Sequence, residues 1–150
     1  MTRITHMLGG AVIGGLVCKY GIIIGAIAGG LPDIDIKLFG EGKDWNWHLF
    51  KHRGITHTLL FAFCLTVISY FILSHFHYSK IYALIIFLAL LSHIALDTLN
   101  FQEEKPFYPV KTGIYFKILK VETLQEYLFI TLPLFLIFIE IIISKYILKN

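Results

Sequence analysis

This sequence is short of charge. Asp, Glu, Lys and Arg make up 15% of its 150 residues, against about 25% in ordinary soluble domains. Apolar residues make up 57%, and the mean hydropathy is +0.73. A soluble domain of this length has too little interior to hide that much apolar surface, so the composition excludes a soluble enzyme and points to a polytopic membrane protein. Cysteine is nearly absent. Cys18 and Cys64 each sit in an apolar run, which fits small buried hydrophobes and excludes a disulfide framework or a thiolate metal site. The net charge is only +3, with no basic stripe interleaved with aromatics, so no nucleic-acid partner is expected. A small-residue cleavage site is missing after Arg3, and Leu16-Val17-Cys18 lacks the small residue a lipoprotein site needs. The N-terminal run therefore reads as part of the mature protein. Repeats and low-complexity segments are absent too, and the length fits one domain over 1–150.

What is present is a set of apolar runs separated by polar stretches rich in histidine and aspartate. Residues 7–31 are apolar, but Lys19-Tyr20-Gly21 cuts them into Thr5–Val17 and Ile22–Leu31. Each piece is too short to cross about 30 Å of hydrocarbon at about 1.5 Å per residue. The run is read as a hairpin of two short helices, with its many glycines at a close helix contact. The hairpin returns Asp33 and Asp35 to the side where His6 begins. Pro32 ends the second helix, and residues 32–53 form a polar connection with interfacial Trp45 and Trp47 and a short helix near Asp44–Lys51. Longer helices follow over Ile55–Ser74, Ile81–Leu99 and Leu124–Ile147. The expected fold class is an all-α integral membrane protein of about five helices: a short hairpin and three longer spanning helices.

Alternation of these spans brings His6, Asp33, Asp35, His52, His57, His93, Asp97 and Glu126 to one membrane face. Nine basic residues (Arg3, Lys37, Lys43, Lys51, Arg53, Lys105, Lys111, Lys117, Lys120) lie on that side and four (Lys19, Lys80, Lys145, Lys149) on the other. The positive-inside rule then makes the site face cytoplasmic, in a multi-pass protein of the cell membrane.

Ionisable residues at a membrane boundary are expensive to bury and point to function. His93 and Asp97 are four apart on a helix, so both face one way and can hold one ion or orient each other. Asp33 and Asp35 alternate just past a helix end and suit an oxygen-seeking cation. His52 and His57 flank Gly54, which lets the chain turn between them, with Thr56 as a helix cap. Arg53 suits the anionic group of a substrate. Glu126, at the start of the last helix, suits a general base or a plain first-turn glutamate. Glu140, deep in that helix, is expected to pair with Lys145 or Lys19, or to be protonated. His75 and His77 are expected in solvent, and His48 on a loop. Mixed His and Asp donors favour Zn²⁺, with Mn²⁺ or Fe²⁺ as alternatives. Haem fits poorly, and the histidine boxes of membrane di-iron oxygenases are missing.

Taken together, Thr5-His6, Leu31-Pro32-Asp33-Ile34-Asp35, His52-Arg53-Gly54-Ile55-Thr56-His57-Thr58 and Ser92-His93-Ile94-Ala95-Leu96-Asp97 resemble a known family. It is that of the predicted membrane-bound metal-dependent hydrolases, also described as LexA-binding, inner-membrane-associated (YdjM-like) hydrolases. The resemblance runs from His6 to the start of the last helix and implies His6, Asp33, Asp35, His52, His57, His93 and Asp97 as the polar, metal-holding set. Leu124-Gln125-Glu126 resembles the glutamate at the start of that family's last helix. Where family members carry a short Gly-containing turn before a Pro-Phe-rich stretch, Asn100–Lys105 intervenes here, so the substrate does not carry over.

The function expected is hydrolysis of an ester or phosphoester, in a small-molecule or lipid substrate with an anionic group. A divalent metal would activate water, with Asp35 or Glu126 as base and Arg53 on the anion. The rivals are a metal-binding or transport protein without catalysis and a regulatory membrane anchor.

Overall fold

A charge and a helix breaker in the middle of an apolar run leave the chain one cheap option, and it turns back. In the computed structural model, which describes residues 1–35, 53–110 and 112–148, α1 spans Arg3–Val17 and α2 spans Gly21–Gly30. Cys18 is fully extended between them. Glycine makes the antiparallel contact possible. A Cβ on Gly10 would fall on the carbonyl oxygen of Gly25, and one on Gly14 on that of Gly21. The two backbones touch, the arrangement small residues provide where lipid offers no hydrophobic drive to associate. The expected hairpin is therefore present, and it sets His6 beside the residues after α2.

The third helix, α3, spans Leu59–His75 and is shorter than the sequence suggested. Thr58 is extended (φ −106°, ψ 151°); its hydroxyl donates to Ile55 O at 2.8 Å and accepts from Phe61 N at 3.0 Å. That cap separates Ile55–His57 as a single 3₁₀ turn. Thr58 is thus the cap expected of Thr56, because its backbone alone leaves the helix at the right point. At 17 residues, α3 measures about 26 Å by helix rise.

The fourth helix, α4 (Ile81–Thr98), and the fifth, α5 (Leu124–Ile147), are the two long and apolar enough to cross a bilayer. The expectation of three longer spanning helices is corrected to two among the described residues. Helix α4 is central and packs on α1, α2 and α3, burying Ile85, Ala89, Leu90 and Ile94. Helix α5 packs on α1 and turns most of its apolar side chains outward, Leu128, Phe129 and Leu136 among them. In lipid that exposure costs nothing. Turns of π-helix at Tyr127–Thr131 and Ile143–Ile147 interrupt α5. The first lies just ahead of Pro133, which has no N–H to continue the ladder; Thr131 Oγ1 donates to Glu126 O at 3.4 Å there.

The end of α5 docks on the hairpin turn. Lys145 Nζ donates to Gly15 O, Tyr146 Oη donates to Lys19 O, and Lys19 Nζ lies over the Tyr146 ring. The expected pairing of Glu140 with either lysine is therefore not what forms. Both amines are taken by groups nearer the helix end, and Glu140 faces outward. His75 and His77 are exposed, as expected.

Residues 100–110 and 112–123 fold over the end of α4. Asn100 pairs with Leu119, and Glu104 with Ile114. Phe116 N donates to Thr98 O, and Leu119 N to Leu99 O. Leu59 N, one of the free donors at the start of α3, finds Pro106 O at 2.9 Å. The segment is thus fastened to both α4 and α3. The expected helix near Asp44–Lys51, Trp45, Trp47, His48 and His52 lie outside the described residues.

Candidate metal centre

Five of the expected residues meet in one place. His6 comes from the second turn of α1, Asp33 from the turn after α2, His57 from the 3₁₀ turn before α3, and His93 and Asp97 from the last turns of α4. All five are buried. His93 Nε2 lies 3.4 Å from Asp97 Oδ2 and 3.8 Å from Asp33 Oδ1. His57 Nε2 lies 3.7 and 3.8 Å from the same two oxygens. On the other lobe of Asp97, Oδ1 meets His6 Nε2 at 3.1 Å, the amino group of Met1, and Arg53 Nη2 at 3.7 Å. The His6 ring stacks on His93 with centroids 3.7 Å apart.

Do these residues fit a metal? The direction of the imidazoles decides. His93 Nδ1 donates to Gly29 O at 2.7 Å, so the lone pair sits on Nε2. That atom is buried, makes no hydrogen bond, and faces two carboxylate oxygens. Three acceptors facing one another call for a cation between them. Ring N–H to a backbone carbonyl is also the usual way a metal-binding histidine is held. His57 is held similarly. Thr56 Oγ1 donates to Asp35 Oδ2 at 2.9 Å and lies 3.0 Å from His57 Nδ1, so it accepts the Nδ1 hydrogen. Around Zn²⁺ with bonds of about 2.0–2.1 Å, tetrahedral donors stand about 3.3–3.4 Å apart. The four nitrogen-to-oxygen separations in the cluster run from that value to slightly wider, 3.4 to 3.8 Å. Asp33, His57 and His93 form one metal-competent triad, and His6, His93 and Asp97 another. They share His93, so the cluster has room for one ion or a close pair.

Other expected residues stand apart. Asp35 is behind His57, 3.4 Å from Nδ1, where it orients the ring. Glu126 is fully buried and fully used: it accepts from Thr2 N at 2.7 Å, Thr5 Oγ1 at 3.0 Å and Glu122 N at 2.9 Å. It ties the start of α5 to the start of α1, and so fixes His6 from a distance.

Arg53 is brought to the rim of the cluster. Its φ of 65° is a left-handed conformation that costs a non-glycine residue on the order of 1–2 kcal/mol. The guanidinium is held by Gln102 O at 3.2 Å and Glu104 Oε1 at 2.5 Å.

Sequence reasoning missed three contributors. Arg3 Nη2 donates to Asp33 O at 2.7 Å and anchors that turn; its place one helical turn before His6 was the available signal. Thr56 orients His57. Glu104, passed over within the inserted Asn100–Lys105, is fully buried beside Arg53. Burial pushes its carboxyl up to about 8 against the pull of that guanidinium. For Asp33, burial works upward, but the facing His57, His93 and His6 hold it below the ordinary range. Burial depresses His57 despite the aspartates around it.

The chain matches the family model described as YdjM inner membrane protein over residues 1–148. The chain belongs to that family. It is also similar to the inner membrane protein YbcI of Escherichia coli (strain K12), 35% identical over 81 residues. That alignment covers 53% of this chain and 46% of YbcI, so the chain spans about half the length of the curated relative it matches. No solved structure matches. Membership places the protein with inner membrane proteins, in keeping with the two candidate spans.

Proposed function

We propose that this chain is a membrane-embedded, metal-dependent hydrolase of an ester or phosphoester. The observation that carries the reading is the convergence of His57 Nε2 and His93 Nε2 on Asp33 Oδ1 and Asp97 Oδ2. A divalent ion held there, Zn²⁺ before Mn²⁺ or Fe²⁺, would make water a nucleophile near neutral pH and draw charge from a phosphoryl or carbonyl oxygen. The protein's own part is orientation. Gly29 and the Thr56–Asp35 pair aim the imidazoles, and Arg53, at the rim, receives the substrate's anionic group. Asp35, behind His57, stands outside the donor set and accepts from Thr56 Oγ1. An apolar groove supports a lipid-linked substrate. It is lined by Ile24, Ile27 and Ala28 of α2, Leu31 just past its end, Leu65 and Ser69 of α3 and Ile86 of α4, and Leu31 is two residues before Asp33. The excess of basic residues on the site side supports a cytoplasmic-facing centre.

Metal analysis of the purified protein tests the reading. Stoichiometric divalent metal is expected, lost when His93→Ala and Asp97→Ala are combined. Metal retained by that double variant would sink it. Metal bound with no turnover of any ester would move the assignment to a metal-binding or transport protein.

A further inference from the structure

Among the described residues, Glu104 is the one buried carboxyl at this site that neither holds the proposed ion nor aims a donor. Its backbone is pinned on both sides: Glu104 N donates to Ile114 O at 3.1 Å, and Ile114 N to Glu104 O at 2.7 Å. Two residues on, Pro106 O is fastened to Leu59 N. A carboxyl held so firmly is placed, not free. Both of its oxygens are buried; the close group is Arg53 Nη1, 2.5 Å from Oε1. The same guanidinium reaches toward Asp97, 3.7 Å from Nη2. One arginine therefore links the donor cluster on one side to Glu104 on the other. An anion gripped by Arg53 would have the cluster at one end and the Glu104 carboxyl at the other.

We propose that Glu104 is the proton donor to the leaving group of the hydrolysis, an assignment that rests on the function proposed above. The attacking water forms the new bond to phosphorus or carbon. The bond to the leaving oxygen breaks, its electron pair stays on that oxygen, and the oxygen takes the Glu104 proton. One proton of the water returns to the Glu104 carboxylate, so one water is consumed, one alcohol and one acid are released, and the carboxyl is restored. The charged groups facing Glu104 are Arg53 from the turn before α3, Asp97 of α4, Asp33 after α2 and the amino group ahead of α1. Against them, burial keeps the carboxyl protonated near neutrality, the state a general acid needs.

The test compares the full-length, metal-loaded protein in lipid nanodiscs with its Glu104→Gln variant. The substrates are phosphodiesters sharing one acid part, with leaving groups from nitrophenol to phenol. A proton donor contributes about 10²–10⁴-fold, and most where the leaving group is poor. The variant should lose about 100-fold or more on the phenyl ester, far less on the nitrophenyl ester, and keep its metal. An equal loss across the series would overturn the assignment, leaving Glu104 as a structural partner of Arg53. Infrared spectroscopy gives a readout without turnover: a carboxylic-acid band at neutral pH that Glu104→Gln removes. Absence of that band overturns the assignment by itself. A band in a wild-type protein that hydrolyses nothing overturns the proposed function, and the assignment with it.

Discussion

His93 donates its Nδ1 hydrogen to the carbonyl of Gly29, 2.7 Å away. The bond joins α4 to the last turn of α2, so the direction of a metal donor depends on the packing of the hairpin. A Cβ on Gly29 would meet the carbonyl oxygen of His6 and the Cα of Gly10. Those atoms are backbone and cannot rotate away.

Gly29→Ala is therefore expected to push α2 off α1, at a cost of about 1–3 kcal/mol for overpacking, and to swing the residue-29 carbonyl that accepts from His93 Nδ1 out of line. Thermal unfolding and metal content measured on the same preparation check this. A destabilised variant with unchanged metal affinity would show that the Gly29 bond does not aim His93.

The Thr56–Asp35 pair separates holding a metal from orienting its ligand. If Asp35 acts behind His57, Asp35→Asn and Thr56→Val should each weaken metal binding about 10–100-fold, the usual effect of removing such a support. His57→Ala should remove binding at that triad altogether. Competition with a chelator of known affinity measures all three. Asp35→Asn as severe as His57→Ala would make Asp35 a direct ligand.

The hairpin and the cluster were legible because they rest on spacing. Lys19-Tyr20-Gly21 makes a turn unavoidable, and the i, i+4 spacing of His93 and Asp97 fixes one face. What was not legible rests on the exact end of an element. Thr58, not Thr56, ends the turn before α3, because which threonine becomes extended depends on tertiary contacts such as Leu59 N to Pro106 O. That single shift shortened α3, freed Thr56 for Asp35, and removed one of three expected spans. Glu104 was hidden for a different reason. Nothing local marks one glutamate of Glu103-Glu104 as buried; the pairing with Ile114 turns it inward and leaves Glu103 exposed.

Glu126 distinguishes a base from a brace. Its oxygens accept three hydrogen bonds, from Thr2, Thr5 and Glu122. In Glu126→Gln the amide nitrogen would face a backbone donor, either Thr2 N–H or Glu122 N–H. An unsatisfied buried donor costs about 1–3 kcal/mol. The expected result is a lower unfolding temperature with metal still bound. Unchanged stability together with lost turnover would return Glu126 to the role of base.

Glu104 makes stability depend on pH in a direction opposite to most carboxylates. Its folded-state value is about 8 against an ordinary 4.5, so the folded protein binds more protons than the unfolded chain between those limits. Stability from this group is then fully present below about pH 4.5 and is lost as pH rises through about 8. His57, depressed from 6.5 by burial, works the other way. It makes the unfolded chain the stronger proton binder below 6.5, so its contribution is lost as pH falls. Comparing wild type with Glu104→Gln cancels His57, which both retain. The difference in unfolding temperature between the two should shift steadily against the wild type from pH 5 to pH 8. A difference that does not change with pH would mean that Arg53 keeps Glu104 ionised throughout, as an ordinary buried ion pair.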